Sequence, residues 1–339
     1  MKQSDTGPDN TGLRKVAAVV GERVEATMRA DLSAALAGAD PLLNEVLDYA
    51  LFNGGKRIRP LLTVLCSRCC GRDEEDLYLL AAAFEYLHVA SLIHDDVIDR
   101  AEQRRGRATV LARFGMTSAI LAGDWLHAQS MYLIGRLAGS ACLEIFCRAT
   151  TSMVNGEFAQ LRLIGDTSAG EVPYFAVIRQ KTGNLIASTC ALGAIYAGAE
   201  TSQRAALAAY GDHLGAAFQV VDDLLDFLGD EQSTGKKIGN DFIEGKVTLP
   251  LLHALARTDG SQRREMEGLM HGDRTIPGSY ERLRSLIEQF DGFATAARTA
   301  RQLVQQATEC LDIFPDQEPA RENVALLKEL AAYILTRTK

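Results

Sequence analysis

Apolar residues return every three to four positions along almost the whole chain. Leu43, Val46, Leu47 and Leu51 make one stripe, Leu79, Ala83, Leu87 and Ala90 a second, and Leu326, Leu327, Leu330 and Ile334 a third. Side chains three and four apart share a helix face, so each stripe predicts a helix with one apolar side. No convincing period-two alternation of a strand is present. The breaks carry helix-end chemistry: Asp40 can N-cap a helix with Pro41 at its first position, and Gly54 with Gly55 can close it. Residues 76–99 and 203–228 are apolar over more than one face, as expected of helices buried in the middle of a bundle. The pattern predicts an all-α fold of ten or more helices.

Composition narrows the organisation. A chain of 339 residues can build one large core or two ordinary domains. Its 8 prolines punctuate segments and do not cluster into a linker. One all-α domain over 13–339 is therefore expected, behind a flexible polar tail at 1–12. The formal charge of -8 argues against a nucleic-acid partner, so any basic site must be local. The N-terminal "MKQSDTGPDN" lacks the apolar stretch of a signal peptide, and no later uninterrupted apolar run reaches the length of a transmembrane segment. The chain therefore reads as cytoplasmic. Its seven cysteines, an odd number, lie mostly inside apolar helical patterns and are expected reduced. Cys66, Cys69 and Cys70 have no second Cys or Cys/His pair at zinc spacing, so they read as small buried residues on a helix.

One stretch departs from this plan. "SLIHDDVIDRAEQRRGRAT" (91–109) ends an apolar helix in three aspartates and then turns basic, and "DDLLD" (222–226) repeats the acidic pattern. On a helix Asp95 and Asp99 share a face with Asp96 beside them. Asp222, Asp223 and Asp226 do the same, and Gln219 extends the second stripe by a turn. Like charges at this spacing destabilise a helix, most of all near its C-terminal end. A solvated acidic face is the plain alternative, but both motifs continue helices that should be buried. Enclosed carboxylates need counter-ions. The candidate ligands are hard carboxylate oxygens, which select a hard cation. Magnesium held by a few carboxylates, waters and phosphate oxygens suits them best. Cationic residues stand where a phosphorylated substrate would need them: Lys56, Arg57 and Arg59 in "GGKRIRP", Arg104 and Arg105 in "RRG", Lys181 and Thr182 in "QKTG", and Lys236, Lys237 and Lys246 in "GKKIGNDFIEGK". Each alone is commonly just an exposed loop cation; together they are not. The loop after Gly229 lacks the preceding strand, the spacing and the Ser/Thr of a nucleotide-binding P-loop.

With "GGKRIRP", "LIHDDVID", "RRG", "GEFAQL", "KTG", "FQVVDDLLD" and "GKKIGNDFIEGKVTLPLL" in this order from about Leu43 to the C-terminus, the chain resembles the trans-isoprenyl diphosphate synthase (polyprenyl synthetase) family, in particular its medium- and long-chain members. The resemblance implies an all-α homodimer with a central active-site cavity in each subunit. It implies that Asp95, Asp96 and Asp99 face Asp222, Asp223 and Asp226 across Mg2+, three ions per site, bound together with an allylic diphosphate: dimethylallyl, geranyl or farnesyl. Arg104, Lys181, Thr182, Gln219, Lys236 and Lys246 would also contact that diphosphate. Lys56, Arg59, His88 and Arg105 would grip isopentenyl diphosphate. The implied reaction ionises the allylic carbon–oxygen bond, adds the isopentenyl double bond and loses a proton, with no protein nucleophile. Short-chain relatives carry a bulky aromatic residue four or five positions before the first aspartate. Ala90 and Ser91 leave that floor open here, with Leu87 and Ala83 continuing the wall and Met131 or Tyr132 as deeper stops. A product longer than C20, of roughly six to nine units, is expected on that analogy. The alternatives are a farnesyl or geranylgeranyl synthase, a class I terpene cyclase, which needs no isopentenyl site, and a binding subunit of a heteromeric synthase, in which the acidic motifs are typically eroded.

Overall fold

The computed structural model describes residues 11–104, 106–229 and 238–336. Most of the expected tail, together with Arg105, Lys236 and Lys237, lies outside the described residues. The described residues are all-α, as the stripes predict, and they form two compact units.

Among the described residues, the first unit comprises 11–104, 106–147, 189–207 and 313–330. It begins with α1 (Thr11–Ala35), α2 (Pro41–Leu51), α3 (Ile58–Cys69) and α4 (Glu75–Ile98). The Asp40 carboxylate caps α2 by accepting from the Leu42 amide at 2.8 Å, with Pro41 at the first turn. Val46, Leu47 and Leu51 of the expected stripe are buried. Helix α4 packs against α1, α2 and α3, which explains why it is apolar nearly all round. After it, Gln103–Arg104 and Arg107–Ala108 pair as a minimal antiparallel hairpin. Two-residue strands are too short for alternation to register in a sequence. A long helical run, α5 (Val110–Arg162), is interrupted at Gly115 (φ 83°) and Gly139 (φ 80°), where the left-handed backbone favours glycine.

Two helices, α4 and α5, are long and apolar enough to cross a membrane by length and composition, although neither contains an unbroken apolar run. The apolar window of α4 is 72% buried within the fold, as expected of a core helix.

Among the described residues, the second unit comprises 148–188, 208–229, 238–312 and 331–336. It contains the end of α5, then α6 (Glu171–Ile178), which runs straight into a π-helical turn, Arg179–Gly183. Helices α7 (Asn184–Tyr196) and α8 (Thr201–Leu228) each begin in one unit and end in the other. Then come α9 (Asn240–Glu244), α10 (Leu249–Ala256), α11 (Gly260–His271), α12 (Ser279–Gln289) and α13 (Gly292–Glu309). Buried on nearly every residue, α10 packs against α6, α12 and α13. The last helix, α14 (Ala320–Thr336), follows.

All seven cysteines are free thiols. Burial pushes the Cys66 and Cys69 thiols on α3 up and raises Cys70 to about 11, which keeps them protonated and unreactive.

Candidate active site

In the first unit the acidic motif is the C-terminal end of α4. Asp95 is half-buried, Asp99 is exposed, and Asp96 is turned inward and buried. The Asp96 carboxylate accepts from Arg104 Nε at 2.8 Å. Burial holds this carboxyl above its ordinary range, against the opposing pull of Arg104. The hairpin that carries Arg104 is tied to the preceding basic loop. Arg107 donates to Asn53 Oδ1 at 2.6 Å, and the Tyr49 hydroxyl donates to the Ala108 carbonyl at 2.6 Å.

That loop places its three cations differently. Arg57 sits in the left-handed region (φ 48°) and is buried, donating to Glu85 and to the Leu51 carbonyl, each at 2.6 Å. It is the post on which the loop is built, because a buried arginine held by a carboxylate and a backbone carbonyl cannot leave its partners cheaply. Lys56 stays exposed. Arg59, in the first turn of α3, is half-buried, and its enclosed Nε has no hydrogen-bond partner among the described residues. Burial lowers its pKa, with only partial relief from Glu85. An enclosed Nε without a partner suits an anion that arrives from outside. His88, Ser91 and Asp95 share one face of α4, and Ala90 is buried on a neighbouring face.

The second unit holds a pocket of about 110 Å³, lined by Gln160, Tyr174, Lys181, Gln219, Asp223, Asp241 and Lys246 among others. Asp223 is buried and accepts from the Tyr174 hydroxyl at 2.6 Å and from Gln219 Nε2 at 3.0 Å. Thr182 Oγ1 donates to Gln219 Oε1 at 3.3 Å, which completes a line of neutral donors. Asp226 accepts from the backbone amides of Asn240 and Asp241 at 3.2 and 3.1 Å. Burial first and the Asp241 charge second push Asp223 well above the usual carboxylate range, and the same causes raise Asp226 to about 7. Asp241 is itself raised by burial, against the pull of Lys246. Burial would lower the Lys246 ammonium, but Asp241 and Glu244 more than offset it and hold it above its ordinary value.

The two lysines are set by backbone devices. Lys181 and Thr182 lie on the π turn, where a Cβ on Gly156 would stand 2.7 Å from Lys181 Cγ and one on Gly215 would stand 2.7 Å from Gly183 Cα. Only glycines let these segments close on the turn. The Lys181 ammonium meets Glu157 at 2.8 Å and Gln160 at 2.9 Å. Lys246 follows Gly245 (φ 77°) and meets Glu244 at 2.5 Å and Asp241 at 3.3 Å.

Of the residues expected from sequence, the first unit gathers Lys56, Arg59, His88, Ser91, Asp95, Asp96, Asp99 and Arg104 on the end of α4 and the loops beside it. The second gathers Lys181, Gln219, Asp223 and Lys246 around one pocket, with Thr182 hydrogen-bonded to Gln219 and Asp222 and Asp226 on the same turns of α8. Arg105 and Lys236 are not described. Sequence reasoning missed Asp241 and Tyr174. The quoted "GNDFIEGK" carries Asp241 five residues before Lys246, and Tyr174 precedes Lys181 by about two helical turns. The donor set fits a hard divalent cation: its ligands are carboxylate oxygens, crowded enough to be pushed toward protonation despite the Lys246 charge beside them.

An all-helical chain with two aspartate motifs, each set among cations suited to phosphate oxygens, defines the class as a diphosphate-handling helical enzyme. The polyprenyl synthetase family model matches residues 40–287, and the chain belongs to that family, the prenyltransferases that make polyprenyl diphosphates. It is 35% identical over 287 residues to the octaprenyl diphosphate synthase of Haemophilus influenzae, covering 84% of this chain and 87% of that one. The structure of a decaprenyl diphosphate synthase from Rhodobacter capsulatus superposes with a TM-score of 0.87 at 33% identity, covering 96% of this chain and 98% of that one. That of a polyprenyl synthase from Caulobacter crescentus CB15, complexed with calcium and isoprenyl diphosphate, gives 0.86 at 31% identity and the same coverage.

Proposed function

We propose that this chain condenses isopentenyl diphosphate with an allylic diphosphate and repeats the step to a trans-polyprenyl diphosphate longer than C20. The observation that carries the reading is the pairing of two intact aspartate motifs with separate cation sets, one built around Lys56 and Arg59 and the other around Lys181 and Lys246. A terpene cyclase needs no isopentenyl site, and two intact motifs argue against a non-catalytic subunit.

Within the first unit Asp95 and Asp99, and within the second Asp222 beside Asp226 and Asp241, are the carboxylates that would hold Mg2+. When bound it neutralises the diphosphate leaving group as its negative charge develops. Asp96 and Asp223 are committed to protein donors, so they orient their neighbours. Lys181, Thr182, Gln219, Lys246 and Arg104 would hold the allylic diphosphate while its carbon–oxygen bond ionises. Lys56, Arg59 and His88 would hold isopentenyl diphosphate with its double bond against the cation, and orientation replaces a second-order encounter. The proton lost afterwards passes to the released diphosphate.

Product length follows from the face of α4 below Asp95. Ser91 is small, with its hydroxyl folded onto the His88 carbonyl at 2.8 Å. Phe84 lies on the same face, about 16 Å below Asp95 by helical rise, fully buried and edge-on to Phe146 at 5.6 Å. Tyr132 stands 56% exposed, so this enclosed aromatic pair is the better stop. The exposed apolar side chains Met116, Ile120, Leu121, Val154, Phe158 and Leu161 along α5 support a homodimer. Light scattering should then give twice the chain mass, and a monomer mass at micromolar concentration would contradict it. The function is tested by product chromatography of the purified protein with farnesyl diphosphate and excess isopentenyl diphosphate. Products beyond C20 are expected, shorter for Ser91→Phe and longer for Phe146→Ala. A wild type that stops at C15 or C20, or that releases a cyclised hydrocarbon, sinks the reading.

A further inference from the structure

At the pocket both lysines are paired with protein groups. Lys181 spends two of its three donors on Glu157 and Gln160, and Lys246 spends two on Glu244 and Asp241. Glu157 and Glu244 are partly wet, with side chains 39% and 45% exposed. Such pairs are weak enough for a stronger anion to break. Neither glutamate lines the pocket, yet each stands next to a backbone device that aims its lysine. Glu157 adjoins Gly156, whose missing Cβ makes room for the Lys181 stem, and Glu244 adjoins Gly245, whose turn brings Lys246 back over Asp241.

We propose that Glu157 and Glu244 are positioning residues for Lys181 and Lys246. They hold the ammonium groups at the pocket wall, compete with diphosphate for them, and recapture them when diphosphate leaves. This rests on the reading of the pocket as a diphosphate site. The consequence is a site pre-aimed for its substrate but weakened for its product. Each turn of the reaction ends with inorganic diphosphate still in contact with both lysines, and a carboxylate within reach of each one lowers the barrier to its release. Arginine in these positions would bind the anion through a rigid fork and could not be handed over as readily.

The test is calorimetric titration of the full chain with sodium diphosphate in excess MgCl2. Wild type binds, and Glu157→Gln and Glu244→Gln each bind about 1.5- to five-fold more tightly, the worth of one partly exposed ion pair. Glu157→Asp and Glu244→Asp keep the charge but draw the carboxylate back by one methylene, and they tighten binding part of the way. A purely structural role would weaken binding in all four. Glu265→Gln, which breaks an exposed pair with Arg282 on another face, leaves the affinity unchanged. Unchanged or weaker binding in the Gln variants overturns the proposal. So does tightening in the Gln variants with wild-type affinity in the Asp variants, which would mark a long-range field without contact. If the wild type itself does not bind diphosphate, the pocket reading fails, and the proposal fails with it.

Discussion

The two aspartate motifs are near-copies in sequence, but the fold neutralises them in different ways. On α4 the inward carboxylate, Asp96, meets a full positive charge from Arg104 at 2.8 Å, while Asp95 and Asp99 stay toward solvent. On α8 the inward carboxylate, Asp223, meets neutral donors, Tyr174 and Gln219. Among the described residues Asp226 accepts from two backbone amides and feels the Lys246 charge, and Asp241 adds a further negative charge. In the first set the Arg104 charge opposes the burial that raises Asp96. In the second, burial and the Asp241 charge push Asp223 and Asp226 further toward protonation, so that set depends more on a bound cation. Perturbed carboxylates of this kind mark working sites, where stability is given up for ligand affinity.

The largest effect should come from removing an outward carboxylate of either set. Asp95→Ala or Asp222→Ala should lower kcat about a hundred- to a thousand-fold in steady-state assays, with circular dichroism unchanged. Full activity in either variant would remove that motif from the mechanism. The inward partners separate the sets more finely. Arg104→Ala strands a buried carboxylate and should cost about 2–3 kcal/mol of unfolding free energy, whereas Tyr174→Phe loses one neutral hydrogen bond and should cost about 1 kcal/mol. Equal losses in urea titrations would mean that the two solutions are not different in kind.

A smaller effect of opposite sign is expected at the crowded end. Asp241→Asn relieves repulsion with Asp223 and Asp226 and should raise the metal-free melting temperature by a few degrees, about 1 kcal/mol, while lowering activity. The metal-free protein should also respond to pH. Asp226 holds its proton up to about pH 7 when folded, against about 4 when unfolded. Between these values the folded state binds more protons, so its contribution to stability is present at low pH and is lost as pH rises from about 4 to 7. Thermal melts across that range should show the loss, and Asp226→Asn should flatten it.

Much of this was legible in the sequence because helical periodicity is local. The stripes of α2 and α4, the Asp40 cap and both aspartate motifs depend on residues within a few turns of each other. What was not legible depends on the approach of distant segments. Asp241 and Tyr174 join the second set only because α6 and the 239–246 segment close on α8. The π turn under Lys181 needs Gly156 and Gly215 from two other helices. Arg57 reads as a ligand in "GGKRIRP", but its left-handed backbone and its pairing with Glu85 make it part of the frame. The hairpin carrying Arg104 is too short for any periodicity to announce it.

The central claim, that this single chain adds isopentenyl units in a cation-dependent reaction, is tested most directly by isotope incorporation. Purified protein is given farnesyl diphosphate, isotopically labelled isopentenyl diphosphate and MgCl2, and label is followed in the extracted prenyl diphosphates with and without EDTA. The account predicts label in products longer than C20, its loss on chelation and its return when magnesium is restored in excess. Label-free products, or incorporation that survives thorough chelation, would contradict it.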